Sequence, residues 1–344
     1  MLERAATLAL LLLLTSVGNM AQTVVAAHES ARSDKFTGGK IVRAALVPGD
    51  PDLRITVNVP AFRLTLWQSG KEVATYPVGV GLKEYPIAIG ARQATEIIWN
   101  PSWIPPDSDW VRQRGNVRPG EIVRPSDPRN PLGKMKIPLG NGYLIHEARS
   151  PADLGNLVSH GCVRMLRRDL YDLAEKTIAA RALDVSPQQI ERVKKSRRTL
   201  VVTLDPPLPV EIEYDTQVVE EGVLYLYPDV YELGTLTVEN VRDELASVGL
   251  NADEISAATI RRMIARVTRR TAFAVSLASI RRGRALAEGQ SVPLVSPSVR
   301  WDTRLPSNAR RNRTRRDATF ARGEAQRPVA LAVELKRVVQ PDRR

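Results

Sequence analysis

The chain has 344 residues, 43% hydrophobic and 26% charged, which is enough apolar material for a substantial core and about two domains and excludes a chain disordered throughout. Its 50 Lys and Arg against 38 Asp and Glu give a formal net charge of +12, and Trp301 to Arg344, with 12 basic and 5 acidic residues, supplies +7 of that. Segments of this kind are solvated or lie on polyanions.

Met1 to Arg4 is a short basic start, and Ala5 to Thr15 is a run of Ala and Leu too short to span a bilayer but suited to the apolar region of a signal peptide. Small residues at Val25-Ala26-Ala27 place cleavage near Ala27, with an uncleaved anchor as the alternative. The expectation is export to the periplasm. A lipoprotein anchor would need a cysteine near the cleavage point, and the chain's one cysteine is Cys162. For an exported protein, the basic tail (298–344, expected to be disordered) is matched to an anionic envelope surface rather than to nucleic acid.

Residues 28–50 are polar, contain Gly38-Gly39 and show no period, as a linker does. From Leu53 the pattern alternates: Ile55, Val57 and Val59 fall on one face, then Phe62, Leu64 and Leu66, with Ser69-Gly70 at a turn before Val73 to Val80. That is a β-hairpin opening a mainly β unit. Strand texture continues through Ile97-Ile98-Trp99. A long Pro- and Gly-rich loop from Asn100 to Asn141 carries Trp103 and Trp110, and a loop of that length inside a domain usually covers a site. Gly142 to His146 reads as a strand. After the cysteine, Leu170, Leu173, Ala174 and Thr177 keep helical spacing, with Asp169 near the start. Beyond Arg198, "TLVVTLDPPLPVEIEYD" and "GVLYLYPDVYE" are strand-like, and a helix is expected from Asn251, with Glu254 completing a capping box. Its apolar stripe of Ile260, Met263, Ile264 and Val267 and its many arginines fit a helix packed on its own domain, or one lying on a membrane. No internal repeat is present.

An unpaired cysteine in an exported chain is either a partner for another chain or a reactive thiol. A buried Cys acting as a small hydrophobe is the bland alternative, but Ser159, His160, Gly161 and Arg164 are poor company for a core. The thiolate is the nucleophile, so such a thiol needs a base. Of three histidines, His28 lies in the linker. His160 shares a face with Cys162 at a separation that aims poorly, and His146 ends the apolar strand "YLIH". His146 is therefore assigned as general base. A zinc site of His146, His160 and Cys162 is the metal alternative, but its spacing matches no usual pattern, and no metal or other cofactor is expected.

The stretch "IHEARSPADLGNLVSHGCVRM" resembles the signature of the L,D-transpeptidases of the YkuD fold, with His146, Ser159, His160, Gly161, Cys162, Val163 and Arg164 as its elements and a gap of 16 from His to Cys. "ITVNVPAFRLTLWQSGKEVATYPVGVG" is similar to the family's opening hairpin, and "NPSWIPPDS" and "NPLG" are similar to loops of its ErfK/YbiS-like branch. The resemblance implies a YkuD-like β-sandwich catalytic domain over 51–204, with a short helix after the cysteine, and a small α+β accessory region over 205–297. It implies that Cys162 attacks the bond between a diamino acid and D-Ala in a peptidoglycan stem tetrapeptide. The resulting thioester passes to an amine of another stem or of a wall-attached lipoprotein. His146 would move the protons, the backbone carbonyl of Glu147 would orient it, and Ser159, His160 and Gly161 would shape the motif, with N–H groups of Gly161 and Cys162 as an oxyanion hole. Tyr143 and Arg164 are candidate substrate contacts, Arg164 having a structural salt bridge as its alternative. Glu147 departs from the Gly or Ser common after the family's histidine, and "YPIAIGARQ" keeps only Pro86 and Gly90 of a common Pro-Thr-Pro-Thr-Gly. A same-fold hydrolase and a non-catalytic wall-binding protein are the other two readings.

Overall fold

Residues 52–251 and 254–295 are described by a computed structural model. The signal-peptide, linker and basic-tail expectations lie outside those residues. The described part is mainly β, as expected, with strands β1 (Leu53–Asn58), β2 (Arg63–Gln68), β3 (Lys71–Pro77), β4 (Val80–Gly81), β5 (Gly90–Trp99), β6 (Met135–Pro138), β7 (Leu144–Glu147), β8 (Leu157–Ser159), β9 (Val163–Met165), β10 (Leu200–Glu213), β11 (Gln217–Glu220), β12 (Val223–Leu226), β13 (Thr271–Ser276) and β14 (Gln290–Pro293). Helices are α1 (Asp109–Arg114), α2 (Arg167–Ala180), α3 (Pro187–Lys195), α4 (Val238–Ser247), α5 (Ala257–Ile264), α6 (Leu277–Arg281) and α7 (Ala285–Glu288).

One sheet has eight strands in the order β3-β2-β1-β10-β5-β6-β7-β9. The opening hairpin sets its register by apolar pairing, Ile55 against Leu66 and Val57 against Leu64, all fully buried. Next to it β10 runs parallel to β1 and antiparallel to β5, so a strand late in sequence closes the middle of the sheet. The expected boundary at 204/205 falls inside this strand and is corrected: the eight-stranded sheet continues to Glu213. Pro206 and Pro207, which lack ladder N–H groups, sit where the β10 register shifts between Thr203 and Leu208, so the prolines interrupt the pairing without ending the strand.

The loop expected from 100 to 141 also needs correction. It contains α1 and β6, and Trp103, Val111, Val117, Val123 and Leu132 form a satellite core within it, with Trp110 packed against them. At six residues between prolines, α1 is too short to show a period. The helix after the cysteine forms as expected: Leu170, Leu173, Ala174 and Thr177 are all buried, and α2 packs against β6 and β7.

Residues 217–293 carry the four-stranded antiparallel sheet β11-β12-β13-β14 with α4 to α7 around it. Its core includes Leu224, Leu226, Val241, Leu245, Ile260, Met263, Phe273 and Ile280. The helix expected from Asn251 instead starts at Ala257, where Ser256 accepts from the Thr259 N–H. Glu254 does bond the Asn251 N–H, so that half of the capping box exists, but it closes a turn ahead of the helix. Ile264 and Val267 pack on the same core as Ile260 and Met263, and Arg266 bonds the Leu286 carbonyl, which seats α5 on its own unit. Among the described residues no helix is long and apolar enough to cross a membrane.

Candidate active site

Two neighbouring strands at the edge of the large sheet build the site. β7 and β9 run parallel, with Ile145 opposite Val163 and His146 opposite Arg164. One step back, this register sets Cys162 beside Leu144. Side chains alternate across a sheet, so Leu144 and His146 share a face with Cys162 and Arg164. His146 and Cys162 are thus diagonal neighbours on one face of adjacent strands, reached from positions 16 apart in sequence.

Gly161 makes the turn that delivers the thiol. Its φ is +99°, a conformation side chains resist, and a side-chain carbon there would sit 2.8 Å from the Tyr143 ring. Ser159, buried at the end of β8, donates its hydroxyl to the Cys162 carbonyl at 2.6 Å, while its own carbonyl accepts from the Leu82 N–H. These contacts hold the Ser159–Cys162 turn from both ends. Cys162 is a free thiol, partly buried, and burial pushes its pKa up; a backbone hydrogen bond from Leu144 and the charge of Arg164 act in the opposite direction.

His146 is 4% exposed. Burial chiefly, aided by the Arg164 guanidinium, pushes its pKa down to about 3, while the backbone of Glu147 acts to raise it, an effect that requires an acceptor, its carbonyl. Nδ1 is buried and makes no hydrogen bond of ordinary geometry, so the Glu147 carbonyl is near the ring without a well-formed bond to it. Burial thus favours the uncharged form of both side chains.

Arg164, buried and opposite His146 in the register, pairs with Asp153 at 2.9 Å, its Nε without a partner. The Glu147 side chain turns away from the thiol: it accepts from the Lys134 N–H at 2.6 Å and from Arg167 Nε at 2.8 Å, and it lies over Gly133. The bulky residue in place of the family's Gly or Ser is thereby accommodated by the 132–134 segment. The Arg92 guanidinium is 4.9 Å from the centre of the Tyr143 ring, whose edge meets Gly161.

His160 lies against two aromatic rings. Its exposed ring stacks on Trp110 with centroids 4.2 Å apart and meets Tyr85 at 4.7 Å. Burial lowers its pKa, helped by Arg114, Arg164 and Arg149. Among the described residues, no group of three or more His, Cys, Asp and Glu side chains is placed to hold a metal ion. Asp153 and Tyr85 stand beside the candidate site residues Arg164 and His160 and were not singled out in the sequence, whereas Trp110 was, in the loop expected to cover a site. Asp153 had a signal, since a buried arginine calls for a carboxylate.

A lone thiol, a buried histidine on the adjacent strand and a glycine turn at the thiol thus meet at one edge of the large sheet. Over residues 52–201 the chain matches the model of the YkuD L,D-transpeptidase catalytic domain. It is 30% identical over 139 residues to the probable L,D-transpeptidase YbiS of Escherichia coli K12, covering 40% of this chain and 45% of that one. It is 25% identical over 213 residues to the probable L,D-transpeptidase YcfS of the same strain, covering 58% and 65%. With the putative L,D-transpeptidase YkuD of Bacillus subtilis it shares 28% over 154 residues, covering 43% and 75%. The chain spans about half the length of the YbiS relative it matches. Among solved structures, the catalytic domain of an Enterococcus faecium L,D-transpeptidase aligns over 47% of this chain and 96% of that one, at 16% identity and a TM-score of 0.31.

Proposed function

We propose that the protein is an exported peptidoglycan L,D-transpeptidase that works in the periplasm. Cys162 Sγ attacks the carbonyl of the diamino acid in a stem tetrapeptide as His146 takes the thiol proton. The oxyanion is held by the N–H groups of Gly161 and Cys162. Collapse breaks the bond to D-Ala, whose amine leaves with the proton from His146, and a thioester on Cys162 remains. An acceptor amine, from a second stem or from a lysine of a wall-attached lipoprotein, then attacks the thioester, gives a proton to His146 and frees the thiol. Arg164, ordered by Asp153, sets the electrostatics of both reacting groups, and the Trp110–His160–Tyr85 rings with Tyr143 wall the approach. The observation that carries this reading is the β7–β9 register, which sets a buried His146 diagonally beside the only cysteine.

The test is intact-mass spectrometry of the mature protein with a tetrapeptide muropeptide, with and without an added acceptor amine. A Cys162 adduct that becomes a new amide only when acceptor is present is the expected outcome. Release of free tripeptide regardless of acceptor would make the protein a hydrolase of the same fold. Absence of any adduct would leave wall binding without catalysis.

A further inference from the structure

The C-terminal unit touches the catalytic sheet at a place that matters for the thiol. Tyr231, in the segment after β12, donates its hydroxyl to the Gly81 carbonyl at 3.1 Å and accepts from the Ile87 N–H at 3.4 Å. One oxygen thus ties together both ends of the 82–86 loop. Three residues at and beside that loop, Gly81, Leu82 and Tyr85, bear on the nucleophile's turn. Gly81 packs so closely that a side-chain carbon there would sit 3.1 Å from the Gly161 Cα, the Leu82 N–H bonds the Ser159 carbonyl at 2.9 Å, and Tyr85 meets the His160 ring.

Tyr231 is itself held rigidly. Its N–H donates to the Tyr214 hydroxyl at 2.6 Å, the two rings stack at 5.6 Å, and Tyr214 donates to Asp229 at 2.6 Å. Asp229 also accepts from the N–H groups of Leu233, Gly234 and Thr235. The network is fully paired, which is the condition under which polar groups away from water add rigidity rather than cost. Lys83 pairs with Glu232 on the exposed side of the same junction. A second contact lies on the far side of the site, where Val295 packs over Gly155, two residues from the Arg164 partner Asp153.

We infer that Tyr231 is a positioning residue for the thiol turn, and that the C-terminal unit is part of the active-site scaffold rather than an appendage; this rests on the acyl-transfer reading of Cys162. Its hydroxyl fixes the 81–87 loop, the loop fixes Ser159 to Cys162, and Gly161 and Cys162 of that turn present the N–H groups that meet the oxyanion. Acylation, which needs that cradle, depends on the hydroxyl, whereas alkylation of the same sulfur by a small reagent does not.

The experiment uses the full chain as wild type, Tyr231→Phe and Glu232→Gln, the last removing only the exposed ion pair. Each is acylated with the tetrapeptide muropeptide, alkylated with iodoacetamide, and followed by amide hydrogen exchange over 81–87 and 157–163. Tyr231→Phe is expected to slow acylation about tenfold or more while alkylation stays within about twofold, since misplacement of reacting groups by a fraction of an ångström has effects of this order. Exchange in both segments is expected to quicken, and Glu232→Gln to match wild type throughout. Wild-type acylation and exchange in Tyr231→Phe would overturn the inference, and so would equal losses of acylation and alkylation. If wild type is not acylated at all, the acyl-transfer reading fails by itself, and unchanged exchange in Tyr231→Phe would then overturn the coupling independently.

Discussion

The two sheets bury different things. The polar residues buried in the large sheet and its loops include His146, Arg164, Arg63, Asn58, Asn100 and Ser159; among the described residues of 215–295 they are Thr216 and Ser279, beside the buried tyrosines Tyr225 and Tyr227. Polar burial costs free energy unless every group is paired. The large sheet accepts that cost and even leaves His146 Nδ1 and Arg164 Nε without partners, whereas the smaller unit is filled with Leu, Ile, Val and Phe. The smaller unit leaves one such atom, Arg242 Nε, so among the described residues the two regions differ in how much buried polar material they leave unpaired rather than in whether they do.

The sharpest break of this contrast is Cys162→Ala. All acyl-enzyme should disappear while binding to isolated wall sacculi and the melting temperature stay near wild type; turnover surviving in this variant would remove the nucleophile assignment. In the supporting unit the large effect should fall on stability instead. Phe273 is fully buried, and Phe273→Ala is expected to cost about 3–5 kcal/mol in denaturant unfolding. A loss below about 1 kcal/mol would mean that the smaller core is not packed as described.

Asp153→Asn should act on both readouts. Removing one partner of a buried ion pair typically costs about 3–5 kcal/mol, because the other charge is left uncompensated. Acylation should fall with it, since Arg164 acts on both reacting groups. A stable variant with wild-type acylation would make Arg164 a bystander.

Next in size is the pH dependence of stability. The folded-state pKa of His146 lies near 3, below its ordinary value near 6.5, so the unfolded chain binds the proton more readily. Its contribution is complete above about pH 6.5 and is lost as pH falls from there toward 3. His146→Gln should therefore show a shallower fall in melting temperature across that window than wild type; identical slopes would mean the ring is not desolvated. The smallest change is expected at the surface, where Arg112→Ala, removing ion pairs to Asp107 and Asp109, should leave both melting temperature and acylation unchanged.

Much of the site is legible in one line of sequence because it is local: Ser159 to Arg164 form a contiguous turn and strand, and the strand ending at His146 carries its own apolar run. The helix after the cysteine is legible too, since Leu170, Leu173, Ala174 and Thr177 repeat at helical spacing. What local pattern does not carry is partnership across the chain. Nothing in "LIHE" or "VRM" says that these strands lie parallel and adjacent, which is what makes His146 and Cys162 neighbours. Nor does "DPPLP" reveal that one strand continues through three prolines in the middle of a sheet, since prolines ordinarily mark its end. Asn251 with Glu254 and Ser256 with Thr259 both offer caps, and the choice of the second follows from the packing of Ile260 and Met263, which sequence order alone leaves open. Tyr231 is the extreme case, since its partners are Gly81 and Ile87, roughly 150 positions upstream.

The most direct test of the catalytic pair compares wild type with His146→Ala for acylation by the tetrapeptide muropeptide at pH 7, with iodoacetamide alkylation at high pH as a check that Cys162 is intact and accessible. Acylation of Cys162 in wild type, its loss in His146→Ala and retained alkylation in both is the expected result. Equal acylation of the two proteins would contradict the assignment of His146 as the base that activates the thiol.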